Sequence, residues 1–250
     1  MSTAEESDQL IADQLRSELP DALIGREIIV FQQTNSTSDA ILQVISPQEA
    51  AVSLGRRSLG EGGSPASVTE GLVVFAEHQT AGRGQRGNRW ESAAGKGLWF
   101  SILLRPELDL SNSGRLTIWA IEAIADVIRT EWNLEPAIKL PNDVQLFGRK
   151  VGGVLVEMRA QDKAAHIAVV GIGINMNQCR DDFPAELQDN AISMAMALGR
   201  QVDRQNFAVA LLRNLDLTYR EKFSKAVVAF NSSPAPTTTR DKRVAKSRTA

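Results

Sequence analysis

Lys139-Leu140-Pro141-Asn142-Asp143, and a few residues later Gly148-Arg149-Lys150-Val151-Gly152-Gly153-Val154-Leu155-Val156-Glu157, form the stretch on which the reading of this chain turns. Pro141 has no amide hydrogen for a sheet ladder, so it ends one strand; residues 144–147 start the next, and Gly148 turns the chain back so that Lys150 follows closely. The hairpin gathers an Asn-Asp pair, a lysine and two glycines at neighbouring strand ends. Taken singly, each has a bland reading: a Gly-Gly pair marks a bulge, an Asn-Asp pair after proline a turn, and a lone lysine a solvated surface group.

A second unusual stretch precedes it: Gly82-Arg83-Gly84-Gln85-Arg86-Gly87-Asn88-Arg89-Trp90. It has neither the period of a strand nor that of a helix. Glycines let backbone N–H groups approach a ligand, arginines supply planar forks that match phosphate or carboxylate oxygens, and an indole offers a face to a base. The loop by itself fits a bound nucleotide and fits equally a solvated basic turn or an Arg-Gly nucleic-acid patch.

The remaining chain alternates elements. Apolar strands are predicted at 28–31, 72–76, 98–104, 151–159 and 167–174, with helices at 37–44, 114–133 and 204–224. In the second helix Leu116, Ala120, Ala123, Ile124, Val127 and Ile128 recur at helical spacing and should face the sheet. In the last, Phe207, Leu211, Leu215 and Tyr219 should close the domain. Trp119, Trp132 and Met176 read as packing residues, and His78 and His166 as structural or surface ones.

With 250 residues, 43% hydrophobic and 23% charged, one globular domain with a substantial core is expected. The first residues are polar and acidic, and no apolar run is long enough for a membrane helix, so a cytoplasmic protein without membrane contact is expected. A single cysteine, Cys179, allows no internal disulfide, and two histidines make a protein-borne zinc site improbable. Of the net charge of −2, residues 231–250 contribute +4. That basic tail, rich in Ser, Pro and Thr, is expected to be disordered, and the glycine-rich stretch 55–70 to be a flexible inserted surface loop.

Taken together, these segments resemble the biotin protein ligases. The arginine-rich loop matches 82–90, the lysine-x-proline-asparagine-aspartate segment matches 139–143, and the arginine-lysine-x-x-glycine strand matches 149–153. Ser36-Thr37-Ser38-Asp39 and Gly171-Ile172-Gly173-Ile174-Asn175-Met176-Asn177 flank them in the family's order, so the resemblance covers about 27–223. It implies an α+β fold: a mixed, largely antiparallel sheet flanked by helices, of the biotin/lipoate protein ligase (class II aminoacyl-tRNA synthetase-like) type. It also implies an enzyme that activates biotin with ATP and Mg²⁺ as biotinyl-5'-AMP and transfers it to a lysine of a biotin carboxyl carrier protein.

From the matching positions, the resemblance assigns Lys150, Arg83, Arg86 and Asp143 to catalysis. Lys150 would neutralise charge at the carboxylate and α-phosphate. Arg83 and Arg86, with the N–H groups of Gly82 and Gly84, would hold phosphates, and Asp143 would orient the incoming lysine. Ser36, Thr37, Ser38, Gln79, Gly82, Arg83, Gly153 and Leu155 would bind biotin. Gly84, Arg86, Trp90, Asn142, Lys150 and Asn175 would bind ATP, with Trp90 stacking on adenine and Asn175 bonding to it. Asn142 and Asp143 could help place Mg²⁺, and no dedicated metal site is assigned.

The chain departs from the family pattern in three places. Gln85 stands where many relatives carry another basic residue, Leu140 where an aromatic is common, and no SH3-like barrel is expected to follow the catalytic domain at 1–230. The short N-terminal region has too few residues for a winged helix, so sequence-specific DNA binding is not expected; an apolar sheet edge could support a homodimer. Two other readings stay open: a lipoate or octanoate ligase or transferase of the same fold, and a nonenzymatic protein whose basic loop binds nucleotides or nucleic acid.

Overall fold

The computed structural model describes residues 8–45, 70–159 and 166–223. The expected basic tail, and the expected inserted loop except for Glu70, lie outside them. Seven strands form one sheet in the order β1-β2-β3-β7-β6-β5-β4: β1 Glu27–Phe31, β2 Leu72–Ala76, β3 Gly97–Leu104, β4 Ala137–Lys139, β5 Asp143–Leu146, β6 Arg149–Arg159 and β7 Ile167–Asn175. Only β1 and β2 run parallel. Such a pair needs a crossover rather than a tight turn, and helix α2, Thr37–Ile45, lies within the connection. All the other pairings are antiparallel, so the sheet is mixed and largely antiparallel, as expected.

The two faces of the sheet are covered differently. Helices α3, Gly114–Trp132, and α5, Arg204–Phe223, pack on one face over Phe75, Leu98, Phe100, Ile102, Val154, Val170 and Ile172. The residues predicted to face the sheet from α3, and the Phe207, Leu211, Leu215 and Tyr219 stripe of α5, are all buried there. Trp119 closes the helical layer: its ring centroid lies 5.5 Å from that of Tyr219 and its Nε1 donates to Thr218 Oγ1 at 2.8 Å. On the other face α2 covers one end, with Ile41 against Leu72, Val74, Leu103 and Val169. Beyond it the sheet surface carries Gly153, Gly171 and Gly173, and there the cavity opens.

Two short helices escaped the hydrophobic pattern. Helix α1, Ala12–Ser17, buries Leu15 alone among its residues, too little for a period to register. Helix α4, Met194–Leu198, carries a readable start and stop: Ser193 Oγ accepts from the Met196 amide at 3.1 Å and Gly199 adopts φ +68°. Glu70, expected in the inserted loop, belongs to the fold, since its Oε1 accepts from Tyr219 Oη at 2.6 Å and from the Arg105 amide at 2.8 Å. Burial, joined by the Glu70 hydrogen bond and charge, pushes the Tyr219 phenol well above its usual range.

Arg204, only 1% exposed, ties the N-terminal segment to the sheet. Its Nη1 donates to Glu77 Oε2 at 2.7 Å and to the Gly97 carbonyl at 3.1 Å, and its Nε to Asp8 Oδ2 at 3.1 Å. Glu77 Oε1 accepts from the Leu10 amide at 2.9 Å. A buried cation with its partners in place is tolerable; with one removed it is not. The cluster fixes the end of β2, from which the cavity loop departs.

Candidate active site

A cavity of about 340 Å³ opens between the N-terminus of α2, loop 82–90, segment 139–143 and the cavity-facing side of β6 and β7. The stretches that stand far apart in the sequence therefore share one space. Ser36, Thr37, Ser38, Gln79, Arg83, Gly84, Arg86, Trp90, Asn142, Asp143, Lys150, Gly153 and Leu155 all line it. Gly82 and Asn175 do not.

One wall is uncharged. The Thr37 amide, at the start of α2, donates to Gln79 Oε1 at 2.9 Å, and Thr37 Oγ1 lies 3.2 Å from the same oxygen. Ser101 Oγ sits 2.8 Å from Thr37 Oγ1 and 3.0 Å from Ser38 Oγ. These hydroxyls and the Gln79 carboxamide are almost fully buried. Such a wall offers both donors and acceptors to a neutral polar group. Ser101 was missed in the sequence because it sits unmarked within the apolar strand β3.

The opposite wall is charged, and a bulge aims it. Gln145 pairs with Lys150 and Val144 with Gly152, which leaves Val151 as an extra residue in β6. Without it, strand alternation would put Lys150 on the face opposite Gly153 and Leu155. With it, all three face the cavity. Lys150 Nζ lies 2.6 Å from Asp143 Oδ1, and its side chain runs so close over Gly153 that a Cβ there would meet Cε at 3.0 Å and Nζ at 3.1 Å. Thus the Gly-Gly pair follows the bulge at Val151 in regular register, and Gly153 leaves room for the lysine.

Trp90 lies against the same glycines. A Cβ at Gly173 would come within 2.5 Å of its ring, Trp99 meets it edge-on at 5.9 Å, and Lys150 Nζ stands 5.1 Å over it. Its Nε1 is buried with no hydrogen-bond partner among the described residues.

Loop 82–90 is a compact hairpin. The Trp90 amide donates to the Gly82 carbonyl at 2.9 Å, the Gly84 amide to the Asn88 carbonyl at 2.7 Å, and Arg86 turns the tip at φ 57°. Gly82 is buried, and a Cβ there would meet the Trp90 carbonyl oxygen at 2.5 Å. Its lack of a side chain lets the hairpin close, and it lies outside the cavity lining. The Gly84 amide, expected to hold phosphate, is already used inside the loop. Arg86 is exposed and lines the cavity. Arg83 lines it as well, but its guanidinium is held on carboxylates: Nη1 to Glu157 Oε1 at 3.0 Å, Nη2 to Glu157 Oε2 at 2.6 Å and to Asp39 Oδ1 at 2.9 Å.

Asn175, expected at the adenine, lies outside the cavity lining. It is 5% exposed, with Nδ2 donating to the Ile192 carbonyl at 3.1 Å and the Lys150 carbonyl at 3.4 Å, and Oδ1 accepting from Gln178 Nε2 at 3.3 Å. It anchors the Lys150 backbone to the segment before α4. Phe100, Lys139, Leu140 and Pro141 also line the cavity.

Fold and cavity define the class. An open mixed sheet carries a cavity in which a neutral hydroxyl-amide wall faces Lys150 and Asp143, with Arg86 at the loop tip. Residues 58–175 match the biotin/lipoate A/B protein ligase family. The chain is 31% identical over 207 residues to the biotin--[acetyl-CoA-carboxylase] ligase of Mycobacterium tuberculosis, covering 79% of this chain and 68% of that one. It is 39% identical over 155 residues to the bifunctional ligase/repressor BirA of Bacillus subtilis, covering 62% and 48%. The chain thus spans about half the length of its Bacillus relatives. The solved structure of biotin protein ligase from Aquifex aeolicus in complex with biotin and ATP superposes with a TM-score of 0.61 at 25% identity, covering 82% of this chain and 75% of that one. This chain belongs to the biotin/lipoate protein ligase family, and its relatives place it with the biotin protein ligases.

Proposed function

We propose that the chain is an ATP-dependent biotin protein ligase that makes biotinyl-5'-AMP and passes the biotinyl group to one lysine of a biotin carboxyl carrier protein. The observation that carries this reading is the pairing of walls in one cavity: buried Thr37, Ser38 and Gln79 on one side, backed by Ser101, and Lys150 and Asp143 on the other. The first wall suits the ureido ring, which has two N–H donors and a carbonyl acceptor. The second suits the reacting anions.

In the first step a biotin carboxylate oxygen attacks the α-phosphorus of ATP; the bond to the bridging oxygen breaks and pyrophosphate leaves. Two anions must meet, so cationic screening in a site of low dielectric supplies most of the acceleration. Lys150, in the cavity beside Asp143, would supply it, with Arg86 at the loop tip. Gly153 lets the lysine lie flat against the sheet. In the second step the acceptor's amine attacks the acyl carbon and AMP leaves. Asp143, which only accepts hydrogen bonds when ionised, would orient the ammonium and ease loss of its proton.

Beside the reacting centre stand one carboxylate, Asp143, and the amide of Asn142; no group of three or more His, Cys, Asp or Glu that could hold a metal is gathered among the described residues. That donor set fits a magnesium ion that keeps most of its waters and arrives on ATP phosphates. Asp143 and Asn142 would hold it, and its chemistry would be charge neutralisation at the phosphates. No helix among the described residues is long and apolar enough to cross a membrane. On this reading the reaction is cytoplasmic and needs no DNA, and the exposed edge strand β4 offers a place for a homodimer.

The test is transfer. With biotin, ATP and Mg²⁺, an acceptor domain from a biotin-dependent carboxylase should gain the mass of one biotinyl group on a single lysine. An unmodified acceptor beside an acceptor modified by lipoate or octanoate would overturn the choice of substrate.

A further inference from the structure

Ser101 is the one hydroxyl of β3 and is fully buried there. It stands on the cavity side of the sheet, between Trp99, which meets Trp90, and Leu103, which packs under α2. A buried hydroxyl in an apolar strand costs free energy unless it is hydrogen-bonded. Its partners are Thr37 Oγ1 at 2.8 Å and Ser38 Oγ at 3.0 Å, and both of those residues line the cavity. Ser101 does not. It pairs across the sheet with Gly171, where a Cβ would come within 3.0 Å of Ser38 Oγ and 3.6 Å of Ser101 Oγ, so the glycine leaves room for the hydroxyls to meet.

A count of hydrogens shows what Ser101 does to its neighbours. Each hydroxyl carries one hydrogen and two lone pairs, and the direction of each bond follows from the network. To keep both contacts without idling its own hydrogen in a buried strand, Ser101 donates to one neighbour and accepts from the other. The neighbour that donates to Ser101 has spent its hydrogen and offers only lone pairs. The neighbour that accepts keeps its hydrogen for another partner. Thr37 Oγ1 lies 3.2 Å from Gln79 Oε1, an oxygen that only accepts. The bonds therefore run from Ser38 to Ser101 to Thr37, which leaves Ser38 Oγ an acceptor and Thr37 Oγ1 a donor. Gln79 Oε1, which also takes the Thr37 amide at 2.9 Å, holds that hydrogen until a ligand competes for it.

We propose that Ser101 is a positioning residue that fixes the two cavity hydroxyls in opposite roles, and so selects ligands with a donor and an acceptor side by side, the edge of a cyclic urea or a cis amide. Without Ser101 each hydroxyl is free to turn, and the wall presents no fixed pattern. A saturated acyl chain or a dithiolane ring has neither an N–H nor a carbonyl for such a wall, and would bury these hydroxyls against nothing they can bond. The choice of biotin as the ligand rests on the function proposed above, since its ureido ring has that edge; the hydrogen count does not.

The experiment uses the full chain with Ser101→Ala and Ser101→Cys. Cysteine keeps most of the side-chain volume but hydrogen-bonds weakly, so the two variants separate the hydroxyl from the space it fills. Biotin binding without ATP is followed by calorimetry, pyrophosphate exchange gives kcat and the KM for each substrate, and a thermal melt checks folding. Kd and KM for biotin should rise about three- to tenfold in both variants, the worth of one neutral hydrogen bond, while kcat and KM for ATP stay within twofold of the parent. Parental biotin affinity in either folded variant would overturn the role of Ser101 alone. A matching rise in KM for ATP would overturn it too, by marking general damage to the sheet. A parent that binds no biotin would bring down the proposed function, and the role of Ser101 with it.

Discussion

Lys150 Nζ lies 2.6 Å from Asp143 Oδ1, across the β5–β6 pairing, because a single extra residue at Val151 turns the lysine to the same face as Gly153. The ion pair keeps a cation poised in the cavity before any ligand arrives. Replacing Lys150 by Ala should lower biotin-dependent adenylate formation by about 10²–10³-fold, the usual cost of removing a preorganised charge from a reacting centre. Because the pair is partly exposed, Tm should scarcely move. Single-turnover kinetics beside a thermal melt separates the two effects.

Asp143 should act mainly on the second half-reaction. In Asp143→Asn the amide can still hydrogen-bond but no longer attracts an ammonium or takes its proton. Transfer from preformed adenylate to an acceptor lysine should then fall more than adenylate formation does. Equal losses in the two steps would assign Asp143 to holding Lys150 instead.

Gly173 has no room for a side chain while Trp90 stays where it is. A Cβ would meet the indole at 2.5 and 2.7 Å, well inside any real contact. Gly173→Ala should push Trp90 off the sheet, shift the tryptophan emission to the red and raise KM for ATP, with a modest loss of stability because a side chain rather than backbone yields. Unchanged emission and KM would mean that the ring has another seat.

The cavity was legible from sequence to the extent that its chemistry is local. The glycines and arginines of 82–90 and the turn at 139–150 declare themselves within a few residues, and the resemblance supplied their order. What could not be read is set by partners far along the chain. Whether Arg83 faces ligand or protein depends on Glu157, 74 residues away. Whether Asn175 faces the cavity depends on Ile192 and Gln178, which draw it inward. The Gly84 amide is spent on Asn88 only once the hairpin folds. Strand alternation alone would have turned Lys150 from Gly153, and only pairing with β5 reveals the bulge. The fold was read better than the site, since long apolar periods survive without knowledge of partners, whereas α1 with one buried residue leaves no period to find.

Arg204 should matter for stability more than any cavity residue. Arg204→Ala would leave Glu77 buried without its cation, a change that costs about 3–5 kcal/mol. Urea denaturation followed by circular dichroism would read it as a lowered midpoint. Truncating Asp8 instead should cost less, because Asp8 is partly exposed and Glu77 keeps its partner.

Acid should weaken the turn at Arg180–Asp182 and its tie to Lys96 through Asp182. Burial raises its pKa, but hydrogen bonds from Lys96 and Cys179 and the Lys96 charge together outweigh it, so the carboxyl stays ionised to lower pH than a free aspartate. A depressed folded-state pKa stabilises above the unfolded value of 3.8 and loses that contribution as pH falls through the folded value. The drop in Tm below about pH 4 should therefore be shallower in Asp182→Asn than in the parent. Parallel curves would remove Asp182 from the account.

The most direct measurement is exchange of labelled pyrophosphate into ATP, with Mg²⁺ and the purified chain, in the presence and absence of biotin. It reads the first half-reaction without an acceptor, where the two-walled cavity is held to act. Exchange should depend on biotin, find no support from lipoate or octanoate, and be lost in Lys150→Ala. A folded chain that gives no exchange with biotin, or exchanges equally well with octanoate, would contradict the proposed function.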